Sequence, residues 1–526
     1  MTITSLAFLL FCAASVLLFA LFPPKYRWIS LLLSSVAFYF ISVSNKLILV
    51  WIVITSLSTW FAGRRLDKVG KQADAALKQE GLERADKQNI RKKAKKNKKK
   101  ILVAALILNV GILVVFKFFN YFTGAFQMLV GLVAGSEKAD LITLVMPLGI
   151  SYYTFATIGY MLDVYWKRYE SEPNFARFFL FAIFYPHILQ GPISRYNLLG
   201  QELKKPELHI TWDNFVCGME SICLGCFKKL VIADRVSIFV GNTLTANNHH
   251  GMIYVVALIF DAIQIYTDFS GYMDIVSGIS RIFDIKLEQN FNHPFLAKSV
   301  PEFWRRWHMS LGGWFKDYVY YPISMSKGVK KINKRVKDWK NVHLKNLMIV
   351  ILPVMVTWLL TGLWHGTGKG YVAWGLYYGT LITLSVTFSD DIHKLQQKLH
   401  INTECFSFRV FQTLKIFCIF IGGRFLGSTI GMPQRIRIIK NILVAFVDFN
   451  IFSHGMSRGD FVIVLVGVLL LIAIAAIETK ENIFDWFNRQ NLVFRAIVLY
   501  AIIFAVFLLG IYGTGYDTSN FMYQQF

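Results

Sequence analysis

Charge is scarce in this 526-residue chain. Only 17% of its residues are Asp, Glu, Lys or Arg, and acids are the rarer sign, 32 against 56 basic residues. A soluble chain of this length usually carries a larger charged fraction and divides into domains. Cysteine is also sparse, six in all, and nothing in their spacing indicates a disulfide scaffold. No GxxxxGK[ST], HExxH or GxSxG occurs. A nucleotide-driven pump, a zinc protease and a serine hydrolase of the usual kinds therefore lose support. No internal repeat is visible either, a feature that transporters often show.

What the chain has instead is apolar length. Hydrophobic residues make up 55% of it. They fall into runs such as Thr4 to Leu21, Ile101 to Phe119, Phe461 to Ile477 and Ala496 to Tyr512. A spanning helix needs about 20 mainly apolar residues. Backbone polar groups find no water in lipid, so such runs must be helical. The expectation is an all-α, polytopic membrane protein of roughly 11 to 14 spanning or partly inserted helices. Met1 to Leu21 lacks a basic start and a clean small-residue cleavage site, and reads as a retained first helix.

The net charge of +24 is concentrated in a few places. Gly63 to Lys100 ends in the run Arg91 to Lys100, and a second cluster covers Lys327 to Lys345. The positive-inside rule puts such segments in the cytoplasm, and anionic lipid headgroups attract them. Nothing beyond charge supports nucleic-acid binding. The whole chain, 1–526, reads as one multi-pass domain with a basic cytoplasmic loop at 63–100.

Several local features stand out. Cys223 and Cys226 form a C-x-x-C, but no second pair or nearby His completes a zinc site. At that spacing they share a helix face and read as packing residues, so no metal is assigned. Tyr185 to Pro192 puts two prolines and a glycine into an apolar setting. Non-helical backbone at membrane depth survives only inside protein or beside a water-filled cavity, so this stretch is a candidate re-entrant wall of a substrate path. From Lys286 to Ser324 aromatics and cations dominate, as expected of helices at the membrane surface or around a cavity.

Two histidines are candidates for chemistry. His365, flanked by Gly362 and Gly366, ends the apolar run Leu347 to Leu363. An ionisable group at such depth is costly and marks a functional site by default. Imidazole can take and return a proton near neutral pH. The structural alternative is a hydrogen bond to a neighbouring helix. His308 follows Trp304-Arg305-Arg306-Trp307, a grouping that suits an anionic ligand or an interfacial belt. Asp268 and Asp274 follow an apolar helix and could orient a base or bond to helix ends.

Together these segments resemble the motifs of the membrane-bound O-acyltransferase family. The resemblance rests on Met146 to Phe155, Asp268 to Asp274, Asn290 to Phe295, Phe303 to Leu311 and Gly362 to Gly366, five motifs in order. It covers a core of 144–379. The bacterial alginate O-acetyltransferase branch is the nearer likeness, also through the aromatic ending Phe521 to Phe526, and a sister branch transfers D-alanine to teichoic acids. The basic insertion at 63–100 departs from the pattern.

The resemblance implies a helical bundle around a central tunnel, pinched at a catalytic histidine that matches His365, in a bacterial plasma membrane. His308 matches the family's second polar position. It further implies an acetyl donor that is a substrate and not a bound cofactor, either acetyl-coenzyme A or an acyl carrier protein thioester. Trp304, Arg305, Arg306 and Trp307 are the expected donor-binding residues, with Asp268, Asp274, Asn290 and Gln190 in support. Acceptor hydroxyls would belong to an exported polysaccharide or to a partner acetyltransferase outside the membrane. D-alanyl transfer, or transport of an acyl group or lipid-linked sugar, are the rival readings.

Overall fold

The computed structural model describes residues 3–134, 144–245, 251–428, 430–444 and 451–512. The ending Phe521 to Phe526 lies outside the described residues. Those described are helical, with one isolated β-bridge between Phe291 and Trp307 and no strand among them. Seven helices are long and apolar enough to cross a membrane: Lys46–Leu77, Arg84–Gly124, Ile253–Ile282, Val342–His365, Phe406–Gly427, Arg458–Glu478 and Leu492–Leu509. Leu6–Leu21 is a shorter apolar helix. The Leu492–Leu509 helix has no buried residue. An apolar helix of this length with no fully buried residue is stable only where lipid covers its outer face. The chain is a multi-pass membrane protein.

The chain forms two compact units. One comprises Ile3–Thr211 with Ser280–Glu288, the other Trp212–Ile279 with Gln289–Phe526. In the first, small polar residues fill the helix contacts. Ser30, Ser34, Ser35, Thr55, Ser56 and Thr59 are all buried, and Thr59 returns its hydroxyl to the Thr55 carbonyl at 2.7 Å. Small residues let helix backbones approach in lipid, where apolar burial gives no net drive.

The basic segment expected as a loop at 63–100 is helical. Leu49–Leu77 and Arg84–Ala134 run through it as a helix pair, because Lys, Arg, Ala and Gln are good helix formers and no proline interrupts them. The stretch from Tyr185 to Pro192 is non-helical and buried. Its backbone is satisfied from within the protein: Tyr185 N–H donates to Ser35 Oγ at 3.1 Å and Gly191 N–H to the His187 carbonyl at 2.8 Å. Gln190 is buried in this same unit.

In the second unit, Val342–His365 and Lys369–Thr387 form a tight helical hairpin. Glycine makes it possible. A Cβ on Gly362 would stand 2.4 Å from the Tyr371 carbonyl oxygen, and one on Gly375 2.5 Å from that of Trp358. No side chain fits at either place, so the two backbones touch and the last turn, carrying His365, is held.

Candidate active site

His365 is the final residue of its helix and is buried. Its ring packs edge-on against Trp364 (4.8 Å) and Trp374 (5.0 Å). Two hollows meet there. A cavity of about 630 Å³ is lined by His365, His308, Trp304, Arg305 and Trp307, among others. A chamber of about 30 Å³ is lined by His365, Tyr371, Phe420, Arg424 and Gly427, among others. Trp304, Trp307, His365 and Trp374 line both. Three indoles and one imidazole thus form the shared wall, a constriction with room for about a water or two on its narrow side.

His308 lines the large cavity from the start of the Met309–Phe315 helix. Its backbone is left-handed, φ 45°, an uncommon state outside glycine. Asn290 fixes it. The Asn290 side-chain oxygen accepts the Ser310 N–H (3.0 Å) and the Ser310 hydroxyl (2.8 Å), and lies 3.2 Å from His308 Nδ1. A carbonyl oxygen only accepts, so Nδ1 carries the proton and the neutral ring keeps its lone pair on Nε2. His308 lies outside the seven candidate spans, and burial pushes its pKa down to about 3. Burial disfavours the charged ring. A neutral ring in this tautomer has no Nε2 proton to give to a carbonyl oxygen, so Asn290 sets His308 as an acceptor on that nitrogen.

The adjacent arginines diverge. Arg305 is exposed and lines the large cavity. Arg306, about 100° further round the helix, pairs with Glu302 at 2.8 Å and is not a lining residue. Asp268 and Asp274 line neither hollow. Asp268 meets Lys229 at 2.7 Å, and Lys229 also meets Asp234 at 2.7 Å. Asp274 meets Lys228 at 2.6 Å. Both lysines sit in the π-helical turn Phe227–Ala233. The structure thus brings together His365, His308, Trp304, Trp307 and Arg305, with Asn290 behind His308, and sets Asp268, Asp274 and Arg306 apart in ion pairs.

Sequence reasoning passed over Trp374, Lys316 and the pair Arg424–Asp261. Arg424 holds Asp261 through two bonds of 2.9 and 3.0 Å while lining the small chamber. The partners are 163 residues apart. A charge in each of two apolar helices was the available signal, since intramembrane charges pair.

Residues 167–336 match the profile of MBOAT, the membrane-bound O-acyltransferase family. The chain is 30% identical over 323 residues to probable alginate O-acetylase AlgI of Pseudomonas syringae pv. tomato, covering 61% of this chain and 56% of the relative. It is 28% identical over 320 residues to peptidoglycan O-acetyltransferase of Helicobacter pylori, 56% of each chain. It is 31% identical over 241 residues to teichoic acid D-alanyltransferase of Bacillus subtilis, 45% of this chain and 58% of the relative. The matches span a little over half the length of these relatives. Over residues 167–336, and over a little more than half of each of these relatives, the chain is similar to the membrane-bound O-acyltransferase family.

Proposed function

We propose that the protein is an O-acetyltransferase of the bacterial plasma membrane that takes an acetyl group from a cytoplasmic thioester and passes it outward. The donor is acetyl-coenzyme A or a carrier-protein thioester. The acceptor is a hydroxyl of an exported polysaccharide or of a partner acetyltransferase outside the membrane. The observation that carries this reading is His365 in the wall common to the large cavity and the small chamber.

The donor thioester enters the large cavity with its carbonyl at the constriction. The acceptor hydroxyl arrives from the chamber side. His365 takes the hydroxyl proton as its oxygen attacks the carbonyl carbon, and the thiol leaves with a proton. Breaking the thioester supplies the driving force. The large cavity faces the cytoplasm because Lys316 in its wall leads within eleven residues into the basic helix Lys327–Val336. The chamber lining contains no carboxylate and includes Arg424. That favours an uncharged acetyl group over an aminoacyl group with its ammonium.

The test is transfer of labelled acetyl from acetyl-coenzyme A to surface polymer in membranes carrying the protein. His365→Ala should abolish it at unchanged protein level. Transfer that survives this substitution would remove His365 from the chemistry.

A further inference from the structure

Directly after His365 the chain reads Gly366-Thr367-Gly368-Lys369-Gly370 and enters the Lys369–Thr387 helix. The start of that helix gathers positive charge and no acid. Gly368, its N-cap, makes no side-chain cap, and the first turn holds no Asp or Glu. Open helix N–H groups of this kind attract negative charge. Lys369 adds an exposed ammonium that makes no ion pair among the described residues. Arg435, from the Met432–Val444 helix, is aimed at the same turn. It keeps only 5% of its surface exposed. A Cβ on Gly370 would stand 2.8 Å from its Nη2. That Nη2 donates to the Ser428 carbonyl at 2.5 Å, and Nε meets no acceptor. Among the described residues no carboxylate pairs with this guanidinium, although a buried arginine is ordinarily paired. Arg424 and Arg235 in the same unit follow that rule, with Asp261 and Asp460.

The turn adjoins the small chamber. Tyr371 and Gly427 line that chamber. Gly370 precedes the first, and Leu426 and Ser428 flank the second, with carbonyl oxygens 3.0 and 3.2 Å from the same Cβ position on Gly370. The Tyr371 ring fills the place that a Cβ on Gly366 would take. The chamber itself holds a hydroxyl but not the sugar that carries it, so the body of an acceptor stays outside. We infer that the Gly366–Gly370 turn, Lys369 and Arg435 form an anion site for an acid group of the acceptor, which selects hydroxyls on acidic polysaccharides over neutral ones. The inference rests on the acyltransfer reading and names the acceptor's chemical class. Backbone N–H groups and Lys369 meet the acid group, and Arg435 supplies charge across Gly370, where no side chain intervenes. Carboxylate and phosphate groups share this chemistry.

The experiment is equilibrium binding of three probes to the purified full chain in detergent: an oligogalacturonate, its uncharged methyl ester, and a glycerol phosphate oligomer. Micelles carrying phosphatidylglycerol or phosphatidylcholine serve as competitors. At least one acid probe should bind well, and the ester far more weakly. Lys369→Gln and Arg435→Gln should each weaken the acid probe about tenfold, the usual weight of a hydrogen bond to a charged group. Affinity for the ester should not change. Lys369 is exposed, so its variant reports on binding even where Arg435→Gln fails to fold. Arg435→Lys should retain part of the affinity, which separates charge from packing. Lys394→Gln removes the same charge from an exposed position on the Ser389–Lys398 helix and should change nothing.

A preference for the uronate or for the phosphate oligomer would support the site and name its acid. Acid probes that bind no better than the ester, or equal losses for the ester in the variants, would overturn it. Displacement of the acid probe by phosphatidylglycerol but not phosphatidylcholine, lost in Lys369→Gln, would make this a lipid headgroup site and overturn the acceptor's class. Acetyl transfer by the unsubstituted protein is measured alongside. Absent transfer with the binding pattern intact would sink acyltransfer and spare the anion site. Equal transfer to acid and ester probes would sink the anion site alone.

Discussion

Two regions of the second unit bury ionisable side chains, and they do so in opposite ways. Around the Phe227–Ala233 turn, Lys229 is closed between Asp234 and Asp268, and Lys228 is tied to Asp274. Each charge has an opposite charge within 2.7 Å, and neither hollow around His365 includes these residues. At the end of the Val342–His365 helix, the His365 imidazole packs against Trp364 and Trp374 and lines a hollow on each of two sides. Burial is common to both. Access separates them: a closed ion pair holds structure, whereas a group that opens onto cavities can exchange a proton with a ligand.

The comparison breaks most visibly at His365. His365→Gln keeps a hydrogen-bonding group of similar reach but cannot accept a proton at neutral pH. Acetylation should fall roughly 10²–10⁴-fold, the usual weight of a general base, with membrane protein level unchanged. Near-normal acetylation would make His365 a structural hydrogen bonder like its counterparts at the lysine turn.

The converse substitution is Lys229→Met. It leaves Asp234 and Asp268 without their cation, and Asp268 is almost wholly buried. Breaking one side of a buried pair costs about 3–5 kcal/mol. The variant should be depleted from the membrane or melt early in detergent. Lys228→Met should be milder, since Asp274 keeps a quarter of its side chain exposed. Adding Asp268→Asn to Lys229→Met should restore part of the loss. If Lys229→Met were stable but inactive, the lysine turn would belong with the chemistry.

This contrast also shows how far residue patterns reach. His365 is legible because its cues are local: an apolar run, a helix end, two glycines. The membrane class is legible for the same reason, since spans such as Arg458–Glu478 and Leu492–Leu509 are long local apolar runs. The pairing of Asp268 is not, because Lys229 lies 39 positions earlier and a π-helical turn leaves no mark in residue order. Arg424–Asp261 is hidden by distance in the same way. Arg305 and Arg306 sit between these cases. Glu302 and Arg306 are four apart, a spacing that already suggests a helix pair and leaves Arg305 as the cation facing elsewhere.

His308 tests the boundary between the two classes, because it is buried and hydrogen-bonded yet lines the cavity. His308→Asn suits the left-handed backbone and removes the ring. Activity should drop by less than in His365→Gln, and the acid limb of the pH profile should not move, because His308 is neutral above about pH 3. Stability carries the sign. The folded pKa lies below the ordinary value of 6.5, so between those limits the unfolded chain binds a proton that the folded one does not. The parent should lose stability as pH falls from 6.5 towards 3. His308→Asn should show a flatter decline in detergent melting between pH 7 and pH 5. A shift of the acid limb in this variant would instead assign His308 a titrating role.

Arg306→Ala gives the smallest effect and draws the finest line. Its side chain is about a third exposed, and its partner Glu302 lies one turn back on the same short helix. Pairs of this kind contribute about 0.3–0.5 kcal/mol. Melting should therefore shift only slightly, and the apparent KM for acetyl-coenzyme A should stay at the parent value. Arg305→Ala, one residue away, should raise that KM with less change in kcat, the pattern of lost ground-state binding. Both substitutions remove one positive charge from adjacent positions, so general electrostatic attraction of an anionic donor predicts equal effects. Unequal effects require that the side chain's direction around the helix decides the outcome. Equal rises in KM would return the two arginines to one diffuse basic surface.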